Sequence, residues 1–487
     1  MKKTFLILSS VLLFAVSLTA QAETTTKTAA PSSQQKAYTL DPTRRLQTME
    51  GWGVSLCWWA NMCGKWSDEK IDEIVDWLVS PTGLNYNIFR YNIGGGDDPQ
   101  NRHCTLHHMG RGKGLRAEME GFKDSTAGPY VWSRDEAQRK IMLKIRQRRP
   151  DAIFEAFSNS CPYYMTVSGC VGGNVDPKKD NLRPDCYEEF AHYLVDVCKH
   201  YHDAYGLTFR TLEPFNEPQT DYWNCDGSQE GCHFDVSSQA RFLRVLAPVV
   251  KASGLSTTIS ASDESLVGQA VKGLRQLIAD SVIDLISQVN THTYSGTNAQ
   301  RTAFGNLGRQ WGKRVWMSET GSGGRGIEGN LALAQRLIDD MRYIRPEAWV
   351  DWQYVAERDD QWCLIDASFK RQTYRKVKHY YVRQQFSRFI QPGYTMVETD
   401  DSCSLAAINP ACDTLVLVRL NASKQPMTVN VNLRQARVTG PVTVYRTSPA
   451  EDLAVVTDAM TRRGKVLSLS LPAESVTTCL LPIKQKK

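Results

Sequence analysis

The sequence lacks the features that would direct it to a membrane, a nucleic acid or a metal. The 487 residues contain a single long apolar run, near the start, and it is too short to cross a bilayer as a helix. The formal net charge is only +6, which is too small to favour nucleic acid as a partner. Neither a CxxC pair nor an HExxH helix is present. We therefore predict no metal, no cofactor, no nucleic-acid partner and no membrane insertion.

The single apolar run, residues 5–16, follows Lys2 and Lys3 and precedes a small-residue site that ends at Ala22. This pattern is typical of a secretory signal peptide over 1–22. Residues 23–36 are polar, lack periodicity and are expected to form a flexible leader. We predict a monomeric protein that is exported to the periplasm or secreted.

Tryptophan is absent after residue 362, and the sequence pattern changes soon afterwards. Beyond about residue 385, short alternating runs separated by turn residues predict a small antiparallel β domain. Upstream, eight apolar runs alternate with helical patterns, and they cover 51–56, 87–92, 153–157, 210–215, 258–262, 285–292, 314–318 and 349–354. Eight such units predict an α/β protein with a (β/α)₈ barrel over 50–384. An open doubly wound sheet is the alternative, but no GxGxxG fingerprint follows the first run.

Two glutamates stand where a barrel places its functional groups, at the carboxyl ends of strands. Glu217 follows the fourth predicted strand within Asn216-Glu217-Pro218, and Glu319 ends the seventh. The prolines beside Glu217 stiffen its turn, so we expect both carboxylates to face one pocket. Glu213, two residues before Phe215 on the same strand, is interpreted as structural.

A pair of carboxylates is what glycoside hydrolysis requires, because one must protonate the departing oxygen while the other attacks the anomeric carbon or activates water. The remaining predicted strand ends supply aromatic, amide and charged side chains of the kind that bind sugars. We expect substrate-binding roles for Trp59, Arg90, Asp97, Asn159, Asn216, His292, Tyr294 and Trp352. Trp58 adjoins Trp59, so at most one of these two rings is expected to face the pocket.

Several motifs together resemble glycoside hydrolase family 30. They lie at 51–60 (GWGVSLCWWA), 89–96 (FRYNIGGG), 213–218 (EPFNEP), 292–294 (HTY), 316–321 (WMSETG) and 386–393. Within the family, the first motif looks most similar to the endo-β-1,6-galactanase branch. The resemblance implies that Glu217 is the acid/base and Glu319 the nucleophile, with Arg90, Asn216 and Tyr294 among the residues around the sugar. It also implies a β-sandwich side domain built from an amino-terminal strand at 37–49 and residues 385–487.

The sequence thus predicts a retaining glycosidase that cuts β-1,6-galactan side chains of plant-type arabinogalactan internally. A β-1,6-glucanase and an exo-acting β-galactosidase or β-fucosidase are alternatives on the same site. Two further alternatives are a non-catalytic glycan-binding protein and a cysteine hydrolase that uses Cys161 and His292.

Overall fold

A computed structural model of the chain describes residues 36–96, 119–357 and 361–486. The predicted signal peptide, 1–22, and the predicted leader as far as residue 35 lie outside these ranges. The described residues all belong to one compact unit, Gln35–Lys487. Within them, no helix is both long and apolar enough to cross a membrane.

Eight parallel strands close into a barrel, which confirms the predicted fold class and excludes the open sheet. They follow an amino-terminal strand, β1 (Lys36–Thr48), and are β2 (Gly51–Ser55), β3 (Ile88–Asn92), β4 (Ile153–Phe157), β5 (Thr211–Glu213), β6 (Thr258–Leu266), β7 (Gln288–Ser295), β8 (Arg314–Thr320) and β9 (Ala348–Asp351). The ring closes where β9 pairs with β2, from Gly51 opposite Ala348 to Val54 opposite Asp351. The strands β6 and β7 run past their predicted ends, because their last residues still pair, with Leu266 opposite Ser295.

Amphipathic helices alternate with these strands. Across the described ranges they are α1 (Trp59–Cys63), α2 (Asp68–Val79), α3 (Glu136–Arg148), α4 (Tyr187–Tyr205), α5 (Val236–Ala252), α6 (Val267–Ala279), α7 (Asn298–Gln310), α8 (Gly326–Asp339) and α9 (Lys378–Ser387). In α2, Ile71, Ile74, Val75 and Leu78 share one helical face, and all four are buried. Burial of such faces against the barrel is the main source of helix stability here.

Three short strands after the barrel form a small sheet of their own. They are β10 (Val355–Glu357), β11 (Ile365–Ser368) and β12 (Thr373–Lys376). The strand β10 pairs in parallel with β11, and β11 pairs antiparallel with β12. The segment between β10 and β11 carries Trp362, which lies beside the barrel mouth.

A second, larger sheet joins the two ends of the chain. Its later strands are β13 (Thr395–Thr399), β14 (Ser404–Ile408), β15 (Thr414–Asn421), β16 (Met427–Leu433), β17 (Ala436–Val438), β18 (Thr443–Ser448), β19 (Glu451–Val456), β20 (Met460–Arg463), β21 (Val466–Leu471) and β22 (Ser475–Gln485). Strand β1 lies between β13, with which it is antiparallel, and β16, with which it is parallel. Alternate residues such as Val429, Val431, Leu467 and Leu469 fill an apolar core that is separate from that of the barrel.

Helix α9 connects the barrel to this sheet, and the predicted boundary between 384 and 385 lies inside it. Trp52 of β2 donates its indole N–H to the carbonyl of Ile390, just beyond the helix. On the other side, Gln385 donates to Thr447 Oγ1 and accepts from Thr478 Oγ1. The two parts of the chain therefore share buried polar and apolar contacts along α9.

Candidate active site

A cavity of about 790 Å³ opens at the carboxyl ends of the barrel strands. Glu217 and Glu319 both line it, together with aromatic side chains from several loops. This is the end of a (β/α)₈ barrel where functional groups are expected.

The backbone of Glu217 is held by four hydrogen bonds in an uncommon conformation. Its φ is +48°, in the left-handed region that disfavours a side chain. The amide of Glu217 donates to the carbonyl of Asp263, at 2.9 Å. Its own carbonyl accepts from the amide and hydroxyl of Thr220 and from the indole of Trp223. These bonds fix the direction in which the carboxylate leaves the turn.

Glu319 lies one residue before the end of β8, and its carboxylate has a donor on each oxygen. Arg90 Nη1 lies 3.0 Å from Oε2, and the Tyr294 hydroxyl donates to Oε1 at 2.8 Å. Burial raises the pKa of Glu319, while the positive charges of His292 and Arg90 oppose that rise. The two cations thus favour the ionised form in a site that otherwise disfavours it.

His292 lies between the two glutamates. Its Nδ1 is 3.2 Å from Glu217 Oε1 and 3.5 Å from Glu319 Oε1, and its Nε2 is 3.6 Å from Asp263 Oδ1. Burial alone would lower the pKa of His292, but Glu319, Asp263 and Glu217 raise it to about 10. The ring is therefore an imidazolium near neutral pH, with a proton on each nitrogen.

The spacing of the two carboxylates is short. One oxygen from each, together with a nitrogen of His292, lies within 4.8 Å of the others. Retaining glycosidases have carboxyl groups about 5–5.5 Å apart, whereas inverting enzymes need about 6.5–9.5 Å to admit a water. The three groups resemble a metal site in composition, but an imidazolium has no lone pair to offer a metal. The geometry suits direct attack by one carboxylate.

Arg90 lies beneath this pair and is fully buried. Besides Glu319, its guanidinium contacts Asp263 and Glu155, and it lies 4.1 Å from the ring centre of Phe157. Although burial opposes ionisation, Arg90 and His292 hold the pKa of Asp263 below its ordinary value. The sugar-binding roles predicted for Arg90 and His292 stay predictions. Both side chains are 0% exposed, and they contact the carboxylates of the site.

Several predicted sugar-binding side chains do line the cavity: Asn159, Asn216, Tyr294 and Trp352. Among the described residues, the side-chain oxygen of Asn216 has no hydrogen-bond donor, so it can accept from a sugar hydroxyl. The backbone amide of Asn159 donates to Asn92 Oδ1, which fixes the start of its loop. The predicted Asp97 lies outside the described residues.

Both adjacent tryptophans, Trp58 and Trp59, lie in the wall of the cavity, and they differ in burial. Trp59 begins α1, is 0% exposed and donates its indole N–H to the carbonyl of Ser55. Its ring packs edge-on against Tyr354 in the core, at 5.1 Å between ring centres. Trp58 is half-buried and meets Trp352 edge-to-face at 5.0 Å. Trp58 is therefore the more accessible of the two rings in the cavity wall.

Two of the sequence interpretations concerned residues near the site. Glu213 is fully buried and lies outside the cavity lining. Burial and the charges of Asp263 and Glu155 raise the pKa of its carboxyl group. Cys161 is also fully buried, and burial and the neighbouring Cys232 raise the pKa of its thiol. Because His292 contacts the glutamates and not Cys161, the cysteine-hydrolase alternative is wrong.

Other cavity residues escaped the sequence reasoning. They include Tyr222, Trp223, Gln229, Ser265 and Trp362. The Tyr222 hydroxyl donates to Glu217 Oε2, so it helps to orient the proposed acid. Asp263 and Ser265 lie near the end of β6, beyond the end that the sequence predicted for this strand. The search for polar residues at strand ends, which led to Glu217, would have found them if the predicted strand had been longer. Tyr222 and Trp362 lie in loops, where no periodic signal marks them.

A glycine after β8 makes room for one of these rings. A Cβ on Gly321 would lie 2.8 Å from the Trp362 ring, closer than real side chains approach. The Trp362 ring is also 6.1 Å from that of Tyr294. Gly321 therefore lets Trp362 approach the wall next to Glu319.

The chain matches the family model described as O-Glycosyl hydrolase family 30 over residues 35–300, more than half of its length. It is 31% identical to the endo-beta-1,6-galactanase of Hypocrea rufa over an alignment of 459 residues. The alignment covers 90% of this chain and 93% of that protein. It is 23% identical to the exo-beta-1,6-galactobiohydrolase of Bifidobacterium longum subsp. longum, over 64% of this chain and 26% of that protein. It is 20% identical to an endo-1,6-beta-D-glucanase of Aspergillus fumigatus, over 85% of this chain and 80% of that protein.

The fold also matches solved structures. A conserved exported protein from Bacteroides fragilis superposes with a TM-score of 0.77 at 20% identity, over 91% of this chain and 100% of that chain. At 20% identity this similarity shows that the fold is shared and nothing further. The barrel and the attached sheet thus recur together in another protein.

Proposed function

The chain belongs to O-glycosyl hydrolase family 30, and we propose that it is an exported, monomeric enzyme that cuts β-1,6-linked galactan internally. The relative with the highest identity given above is an endo-beta-1,6-galactanase that aligns along nearly the whole chain. The names of the other two curated relatives also specify a β-1,6 linkage. We propose that the substrate of this enzyme is the galactan side chains of plant-type arabinogalactan.

The observation that carries the proposal is the close pair of carboxylates in an aromatic-lined cavity. In the first step Glu319 attacks the anomeric carbon while Glu217 gives its proton to the departing oxygen. In the second step Glu217 takes a proton from water, and the resulting hydroxide displaces Glu319 from the sugar. The sugar is released with its original β configuration, and both carboxyl groups return to their starting states.

The aromatic walls favour a carbohydrate over other substrates with cleavable bonds. Trp58, Trp352 and Trp362 present ring surface to the cavity, and such rings pack against the C–H faces of pyranoses. Asn159 and Asn216 add polar groups near the two glutamates. A site of this kind binds a sugar by both its apolar and its hydroxyl-bearing surfaces.

An exo-acting enzyme is a second candidate, because one relative is an exo-beta-1,6-galactobiohydrolase. The test is a panel of β-1,6-galactan, arabinogalactan, β-1,6-glucan and xylan with the products resolved by size. We expect a ladder of galacto-oligosaccharides of mixed length from the first two polymers. Disaccharide as the only product would favour the exo-acting candidate. Faster release of oligosaccharides from β-1,6-glucan than from galactan would indicate that β-1,6-glucan is the substrate.

Export and oligomeric state are tested separately. The amino-terminal pattern supports export, so the protein made in its native host is expected to begin after Ala22 and to be found outside the cytoplasm. Light scattering is expected to give a mass near that of one chain, 54.8 kDa less the removed peptide. A cytoplasmic, full-length product would contradict the proposed export.

A further inference from the structure

A second group of ligand-type side chains lies away from the two catalytic glutamates. Asp180 precedes α4, while His233 and Asp235 come just before α5. One ligand atom from each of the three lies within 4.8 Å of the other two. His233 is 6% exposed, whereas the Asp235 side chain is 70% exposed. The group is therefore anchored in the protein on one side and open to solvent on the other.

The imidazole of His233 is oriented as a metal ligand would be. Its Nδ1 lies 3.0 Å from the carbonyl of Thr220, which can only accept a hydrogen bond. Nδ1 therefore carries the proton, and in a neutral ring Nε2 presents a lone pair. That lone pair is aimed at Asp235 Oδ1 at 3.5 Å, which is longer than the usual 2.7–3.2 Å of an N–H···O bond. A metal cation between Nε2 and Oδ1 would satisfy both atoms, as would a second proton on the ring.

The separation between His233 and Asp235 fits a tetrahedral ion. With zinc–ligand bonds of about 2.0–2.1 Å, two ligand atoms of a tetrahedral site lie roughly 3.3–3.4 Å apart. The 3.5 Å between His233 Nε2 and Asp235 Oδ1 is close to that value. Asp180 accepts from the amide of Asp235 and from the Ser238 hydroxyl, but each carboxylate oxygen keeps a second lone pair.

We propose that Asp180, His233 and Asp235 bind one zinc ion, with water as the fourth ligand. No sequence motif shows this site, because Asp180 is remote in sequence from the other two and no pair has the spacing of a known zinc motif. The absence of such a motif led to the prediction that no metal is bound. The proposal rests on the geometry of these residues and is independent of the substrate proposed above.

Zinc at this position would brace the turn that carries Glu217. His233 Nδ1 contacts the carbonyl of Thr220, and the amide of Phe234 donates to the carbonyl of Pro218 at 2.9 Å. Thr220 in turn donates twice to the carbonyl of Glu217. The ion would stabilise this segment without touching the sugar, so its role is structural.

The test uses the complete exported chain after treatment with a chelator. Zinc chloride is titrated by calorimetry, and cobalt(II) chloride is added as a spectroscopic probe. We expect one equivalent of zinc to bind, a rise in Tm with zinc, and visible d–d absorption of tetrahedral cobalt. In Asp235→Asn, zinc affinity is expected to fall at least about tenfold, and the rise in Tm is expected to disappear. Asparagine is also a good residue before a helix, so α5 should still form.

The matched control is Asp284→Asn, which removes another exposed carboxylate (89% exposed, against 70% for Asp235) and should bind zinc like the parent. His233→Gln is a second variant, and circular dichroism checks that each variant is folded. A parent protein that binds no zinc would overturn the proposal and leave an ordinary histidine–aspartate ion pair. Unchanged zinc affinity in both Asp235→Asn and His233→Gln would place any bound zinc elsewhere and would overturn it as well.

Discussion

His292 contacts both glutamates, and this arrangement matches the movement of charge in the proposed reaction. Before attack the negative charge is on Glu319, and after the ester forms it is on Glu217. Nδ1 of His292 is within 3.5 Å of one oxygen of each. His292 therefore faces one negative charge at both stages, and little reorganisation is needed when the charge moves.

The roles of the two glutamates can be separated by substitution. Glu319→Ala is expected to lower kcat by at least about 10⁴-fold, because the covalent step is lost, and added azide should restore part of the rate. Glu217→Gln should keep activity only toward aryl glycosides with good leaving groups, since these need little protonation. The control is Glu328→Ala, which removes an exposed surface carboxylate on α8. Full activity of either catalytic variant on polysaccharide would reject the assignment.

The charge on His292 also gives a pH dependence of stability. Its pKa in the folded protein is about 10, above the ordinary value of 6.5, so folding favours the protonated form. The contribution is complete below pH 6.5 and is lost as pH rises towards 10. The free energy of unfolding of the parent, relative to His292→Gln, should therefore fall across this interval. The measurement is chemical denaturation at several pH values.

His200 provides the control for that experiment. It lies on α4 away from the cavity, and burial together with the charge of Arg139 lowers its pKa. His200→Gln should therefore show no loss of relative stability between pH 6.5 and 10. Parallel curves for the parent and His292→Gln over this interval would contradict the prediction.

The strands and helices were largely predictable, and the walls of the cavity were not. Apolar runs located all eight barrel strands, and the strand-end rule led to Glu217 and Glu319, because regular elements impose a period on the sequence. Which of Trp58 and Trp59 is the more accessible in the cavity wall depends on how the chain leaves β2, and there the period is lost. Tyr222 and Trp362 reach the cavity from loops whose paths are set by tertiary contacts. Their roles could not be deduced from spacing.

The loop between β10 and β11 contributes one of these walls through Trp362. Removing the ring in Trp362→Ala is expected to lower kcat/KM on galactan about tenfold, the equivalent of an aromatic contact of about 1.4 kcal/mol. Gly321→Ala should act in the same direction, because its new Cβ displaces the ring. Trp311→Ala is the control, since that tryptophan is 40% exposed at the end of α7. Equal effects of Trp311→Ala and Trp362→Ala would contradict a substrate contact.

The barrel and the larger sheet are expected to fold as one unit. A fragment of residues 50–384 would cut α9 and lose Phe386 and Ile390, both fully buried. It would also leave the indole N–H of Trp52 without the carbonyl of Ile390. We expect this fragment to lack cooperative thermal unfolding and near-ultraviolet circular dichroism. A chain of residues 36–487 is the control, and a cooperative transition of the short fragment would contradict the prediction.

The position of β1 between β13 and β16 has a consequence for the order of events during synthesis. Strand β1 is made early, but both of its partners come from beyond residue 394. At about 5–20 residues per second, the ribosome needs tens of seconds to reach them. Until then β1 has two unpaired edges, and the larger sheet cannot close. The late synthesis of β13 and β16 therefore determines when the larger sheet can complete its folding.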